Sequence, residues 1–419
     1  MPPVVRHIRD ASLSKDRRGV LGRGVTPDRI APPTAMPPRF QRDPTTLACY
    51  AFLALLTSSY GMIGPLMPSL RAALDLSYQE GAYHTSAMSV GTVVTGLLGP
   101  AIRQRIGRRG CIMLTLALMA AGGILLCSAL HLAMSLTAGL FFGASIALAI
   151  LVCPAVFAER HGALVGIANA EGNFLAYLGI FLMPGVVSLS TGLIGWRWSF
   201  VLPVLAYGLY WALARRIDFG QAVERGPVVA GRHRLPFGYW CYWAFLAFSV
   251  ACEFAMVVWG ASYLETVSGL PRDRALLASM IFPAGMLLGR FAGTVLMRRF
   301  TAAQQVLPIV LLNGLGVWLF LSSSQPTLGM IGLFLSGIGM ANLYPLGITL
   351  ALLAAGPARD AASARASLAS GVASLAAPLV IGTVADRAGL ATGFMTIFIF
   401  IAGIAISALL GGWSRRAAG

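Results

Sequence analysis

Residues 238–267 read GYWCYWAFLAFSVACEFAMVVWGASYLETV, a run apolar and long enough to cross a bilayer, with one carboxylate, Glu253, near its middle. A helix needs about 20 residues to span the hydrocarbon. A charge at that depth costs roughly 2.5–3.5 kcal/mol on insertion scales, so it faces a bundle interior or a wet cavity. Glu253 is therefore read as a functional residue, against the plainer reading of a protonated, hydrogen-bonded core carboxyl.

Working outward, the same pattern recurs. The 419 residues are 57% hydrophobic and only 11% charged, outside the range of soluble domains. Apolar segments fall at 46–68, 80–102, 111–130, 133–157, 163–190, 196–214, 238–265, 274–297, 304–322, 328–354, 366–384 and 391–413. The expected fold is an all-α membrane protein with twelve transmembrane helices in two pseudo-symmetric six-helix halves. Residues 1–43 read as a disordered basic tail, 44–214 as the N-terminal half, 215–236 as a linker and 237–414 as the C-terminal half. GLFFG at Gly139 resembles GLFLS at Gly332, and each opens the fourth segment of its half, as in a repeated transporter architecture. Met36 offers a second start close to the first apolar run, so residues 1–35 are expected to be dispensable.

The net charge of +16 comes almost wholly from arginine, Lys15 being the only lysine. With the amino terminus inside, the tail, the 103–109 loop, Arg160, the linker, Arg298, Arg299, Arg359, Arg365, Arg415 and Arg416 all fall on the inner side. Arg71, Arg197, Arg272, Arg274 and Arg387 fall on the other. That asymmetry places both termini in the cytoplasm and makes the charge topological, with no nucleic-acid partner. The six cysteines lie in apolar segments without ligand spacing, and the five histidines are scattered, so neither metal nor cofactor is implied. HExxH, GxSxG and a Walker loop are all missing, which argues against an enzyme.

Four motifs carry a family resemblance. GPAIRQRIGRR (Gly99–Arg109) follows the second segment, and GWRWSF (Gly195–Phe200) sits between the fifth and sixth. GTVADRAGL (Gly382–Leu390) is the counterpart between the last two, and MLLGRFAGTVLMRRF (Met286–Phe300) closes the eighth. Together they resemble the major facilitator superfamily over about residues 44–414. The first departs from the family's GxxxDRxGRR, with Gly99 one residue out of register and Gln104 in the place of an aspartate. The resemblance implies two six-helix halves rocking about a central site. The first, fourth, seventh and tenth segments would line the cavity; the second, fifth, eighth and eleventh would form the seam. Arg103, Gln104, Arg105, Arg108, Arg290 and Arg365 are then candidates for gating between the halves.

Of the fifteen acidic residues, Glu253 and Glu171 are the ones well inside the predicted spans, and both are candidates for proton coupling. Tyr60, Tyr242, Trp243, Trp259, Asn342 and Tyr344 are candidates for the substrate cavity, the aromatic ones suiting a cationic or ring-bearing solute. Glu171 and Arg290 lie at similar depth on seam segments, so a charge pair is expected between them when the cytoplasmic side is shut; separate partners within each half are the alternative. The expected function is alternating-access transport of a small organic solute across the cytoplasmic (inner) membrane by a proton-coupled monomer. LGIFLMPG departs from the GxxxGP run of drug and proton antiporters, which favours uptake over proton-driven efflux. A membrane sensor that binds without transporting is the reading from another class.

Overall fold

The computed structural model describes residues 40–220, 235–296, 299–323 and 325–418. Two units separate, Met1–Gln41 and Arg42–Gly419, and the helices of the bundle all belong to the second. Residues 1–39 of the expected tail and 221–234 of the expected linker lie outside the described residues.

The described chain is helical. α1 (Pro44–Leu74) begins at Asp43, whose carboxylate accepts from Thr46 N at 2.8 Å, with Pro44 in the first turn where its missing N–H costs nothing. It bends at Met62, ahead of Pro65 and Pro68. α2 (Tyr78–Cys127) starts from a reciprocal capping box of Ser77 and Glu80. It runs through the stretch 103–110 expected to be a loop, because only Gly107 leaves helical geometry, at φ 68°, ψ 178°. That conformation suits glycine alone, so the break is a sharp kink between arms 78–106 and 108–127.

α3 (Leu132–His161), α4 (Val165–Leu193) and α5 (Val201–Ala214) complete the first part. α5 is 14 residues long, shorter than the expected 196–214, because Trp196–Trp198 form a separate turn after Gly195 at φ 94°. Arg197 of that turn donates to the carbonyls of Cys127 at 2.8 Å and Ala129 at 3.1 Å, closing the end of α2. The second part comprises α6 (Phe237–Thr266), α7 (Arg272–Gly293), α8 (Ala302–Ser322), α9 (Pro326–Ala354), α10 (Arg359–Ala388) and α11 (Leu390–Ser414). Among the described residues, ten helices are long and apolar enough to cross a membrane, and α5 is not counted with them.

Packing follows the same division. α2 lies along α3 and α1 along α4; in the second part α8 pairs with α9, α7 with α9, and α6 with α10 and α11. The two parts meet where α1 touches α6, α2 touches α10, and α4 touches α7. Trp259, Tyr239, Tyr242, Phe52, Phe142 and Phe245 are among the largest wholly buried side chains, so α6 is the most enclosed element as well as the one bearing Glu253.

Candidate functional site

Glu253 is half-buried at the middle of α6, and the helices around it supply its neighbours. α7 brings Arg290. A Cβ on Gly285 would stand 2.3 Å from the Phe334 carbonyl oxygen, and one on Gly289 2.5 Å from that of Ile338, so these glycines press α7 against α9. Arg290, one residue further round, faces α4, where its Nη2 donates to the Tyr177 hydroxyl at 2.5 Å. Its guanidinium carbon stands 3.8 Å from the Tyr177 ring centroid, a cation–π contact. Arg290 and Glu253 interact through space, though no ion pair closes between them, and the Arg290 Nε is buried without a partner among the described residues. Tyr60 from α1 and Tyr177 both feel the Glu253 charge, and Tyr344 from α9 interacts with Tyr177. Five helices thus bring together one carboxyl, one guanidinium and three phenols.

Other sequence candidates go elsewhere. Tyr242 is buried against α11, its ring where a Cβ on Gly411 would meet it at 2.7 Å. Together with α8 and α11 residues it lines a cavity of about 750 Å³ whose walls do not include Glu253. Trp243 donates through Nε1 to the Arg365 carbonyl at 2.9 Å, tying α6 to the start of α10. Trp259 is fully buried and stacks edge-on against Tyr78, 5.6 Å between centroids, at the start of α2. Asn342 donates to the Gly289 carbonyl at 2.7 Å and serves as the joint between α9 and α7. Tyr344, by contrast, stays beside Tyr177 while packing against Val250, Ala251, Ala373 and Ala377.

Glu171 is not paired with Arg290 in this conformation. It accepts from Arg42 Nε at 2.9 Å and Nη2 at 2.6 Å, and from the Tyr50 hydroxyl at 3.1 Å. Arg42 is 59% exposed, so this pair lies at the rim of the first part rather than in the seam. Arg42 stands just ahead of the first apolar run, where the sequence reads as tail. Around the α2 kink, Gln104 and Arg105 are exposed, and Arg103 is half-buried. Arg108 is buried, in an ion pair with Glu159 of the first part and donating to the carbonyl of Phe219, just past α5, at 3.1 Å.

The two parts are joined toward the end of the bundle where α1 finishes and α2 starts, which bears Arg71. There the Asp386 carboxylate of α10 accepts from Tyr78 N at 2.7 Å and Gln79 N at 2.8 Å. Ser188 donates to the Asp273 carbonyl at 3.1 Å, while within the first part Arg71 covers the Tyr78 ring at 3.4 Å. Nearer the middle, Ser89 and Ser374 share a hydrogen bond at 3.1 Å. Asp386 and Tyr78 were invisible as partners in the sequence, being 308 residues apart; the one signal was that Asp386 belongs to GTVADRAGL.

Comparison with known proteins adds four findings. The family model described as Major Facilitator Superfamily matches residues 47–321. An uncharacterized MFS-type transporter of Yersinia pestis is 24% identical over 375 residues, covering 85% of this chain and 93% of its own length. The cyanate transport protein CynX of Escherichia coli (strain K12) is 26% identical over 313 residues, covering 71% of this chain and 77% of its own. Among solved structures, a D-xylose–proton symporter superposes with a TM-score of 0.72 at 16% identity, covering 87% of this chain and 96% of that one, a likeness of fold alone.

Proposed function

The chain belongs to the Major Facilitator Superfamily, a family of membrane transporters and not of enzymes, and from that premise we propose that it moves a small organic solute across the cytoplasmic membrane by alternating access, coupled to protons through Glu253. The observation that carries this reading is the half-buried carboxylate in mid-span, met by Arg290, Tyr60 and Tyr177 from three other helices. A carboxyl in such a place takes up a proton when one side of the membrane has access and gives it up when the other does. The relatives' names support small solutes: cyanate for the Escherichia coli protein and a proton-coupled sugar for the solved symporter.

The helix count fits the same proposal. Counting the arms of α2 separately and adding α5 makes twelve, six before the 215–236 linker and six after it. Arginines gather at the Arg108 end, which supports placing that end and both termini in the cytoplasm. The contacts at Asp386 and Ser188 then support a state shut toward the outside, with the central site reached from within. The working unit is proposed to be a monomer.

The test is counterflow. Purified protein is placed in liposomes loaded with an unlabelled solute, and entry of the labelled form is followed across a library of small acids, sugars, nucleosides and amines. Transient accumulation of one class supports a carrier; binding with no exchange for any solute would make the protein a sensor.

A further inference from the structure

The central site holds an arginine whose side-on edge is only half used among the described residues. In the same molecule Arg42 grips the Glu171 carboxylate with Nε and Nη2, the side-on edge of the guanidinium. Arginine favours that edge for carboxylates because both N–H bonds point the same way. Among the described residues, the Nη2 of Arg290 holds only the neutral Tyr177 hydroxyl, and the buried Nε holds nothing. A buried donor without an acceptor costs stability, and a cation in a span without a closed ion pair costs more. Glu253 is near enough to interact with Arg290 but forms no ion pair with it.

We propose that the Nε–Nη2 edge of Arg290 binds the negative group of the substrate, and that the substrate is a small monoanion that enters with one proton, carried on Glu253. This rests on the transporter reading above and names its substrate class. Charge balance sets the stoichiometry. Empty, the site holds one guanidinium and one carboxylate and is neutral. An anion alone would leave a net negative charge among apolar helices, whereas an anion with a proton on Glu253 restores neutrality. The protonated carboxyl then turns from acceptor to donor and no longer competes for Arg290. Tyr177 gives up Nη2 as the anion takes it, and the ring stays beside the guanidinium.

The ionisable groups facing Glu253 agree with this stoichiometry. Arg290 comes from α7, Tyr60 from α1 and Tyr177 from α4, with Tyr344 of α9 beside Tyr177 and Cys252 preceding Glu253 on α6. Glu253 is the one carboxyl among these groups, the others being a guanidinium, three phenols and a thiol. Glu253 is thus the group left to take the proton.

The experiment uses the full chain, purified and then placed in liposomes. Binding of acetate, benzoate, lactate and cyanate, each as sodium salt, is compared with acetamide, benzamide and lactamide by thermal protection, while an indicator dye counts protons taken up. Expected are protection by one or more of the anions and by none of the amides, about one proton per anion, and tighter binding as pH falls. Arg290→Gln weakens the anion about tenfold or more. Glu253→Gln keeps anion binding but takes up no proton and loses the pH dependence. Arg290→Lys, which keeps the charge without the fork, falls between. Equal binding of amides and anions, unchanged anion affinity in Arg290→Gln, anion binding with no proton, or no anion bound at all would each overturn the proposal. Should Arg290→Gln not fold, the native proton count and the Glu253→Gln profile decide. Counterflow separates the two levels: exchange of a neutral solute in place of anions sinks the anion class and leaves the carrier, whereas Arg290-dependent anion binding without exchange does the reverse.

Discussion

Removing the Asp386 carboxylate is predicted to open the bundle at the Arg71 end. Helix α2 begins there with N–H groups that have no intrahelical acceptor. Ser77 Oγ takes Glu80 N at 3.1 Å, and Glu80 returns to Ser77 N at 2.8 Å. The N–H groups of Tyr78 and Gln79 are met by Asp386 from the other half of the molecule. Separation of the halves at this end hands those two groups to water. Loss of a capping carboxylate costs about 0.5–2 kcal/mol, and Asp386 is exposed, so about 1.4 kcal/mol is a fair figure. That is about tenfold in the ratio of open to shut. A reporter is available in Ser262, which is 1% exposed and lies beside Arg71 and Tyr78. With Cys127 changed to alanine and Ser262→Cys introduced, labelling by a membrane-impermeant maleimide from the Arg71 side reports the open fraction. Asp386→Ala is expected to speed labelling about tenfold, and Asp386→Asn, which keeps one acceptor, by less. An unchanged rate in Asp386→Ala would show that these hydrogen bonds do not hold the halves together.

Three further outcomes are expected. Gly64→Ala puts a Cβ 2.3 Å from the Val257 carbonyl oxygen between α1 and α6, so it should raise Ser262→Cys labelling as Asp386→Ala does, read by the same maleimide. Glu159→Gln strips the carboxylate from the guanidinium of Arg108, whose side chain is 2% exposed; since Glu159 itself is 33% exposed, about 2 kcal/mol of stability is lost, seen as earlier thermal unfolding in detergent. Asp43 gives a pH signature. Burial pushes its carboxyl up, but the hydrogen bonds from Thr46 and the Arg160 charge outweigh that and hold it below 3.8. A folded-state value below the unfolded one stabilises above pH 3.8, and the gain, about 1 kcal/mol for such a cap, is lost as pH falls through the lowered value. Asp43→Asn should therefore melt earlier than the native chain at pH 6 and converge with it in strong acid.

Hydropathy made the spans legible, because roughly 20-residue apolar runs have no other stable home than a bilayer. It also exposed Glu253, since one carboxylate in such a run is conspicuous. The α2 kink was misjudged because RQRIGRR reads as a polar loop, whereas arginines continue a helix readily and only Gly107 departs from it. Partner choice was the harder problem. Arg290 was visible, but its contact with Tyr177 and its proximity to Glu253 depend on the rotation that the glycines of α7 impose against α9. Trp259 looked like cavity wall and belongs to the Tyr78 contact near the Arg71 end, because its place in the last turns of α6 sets it well above Glu253. Tyr177 drew no notice because an aromatic residue in a span reads as filler until a cation is found above it.

Coupling through Glu253 is tested most directly by proton movement in liposomes driven by a gradient of the transported solute, measured for the native chain and for Glu253→Gln. The native chain is predicted to acidify or alkalinise the lumen in step with solute entry or exit, and Glu253→Gln to move solute with no proton. Solute movement without protons in the native chain, or undiminished proton flux in Glu253→Gln, would contradict it.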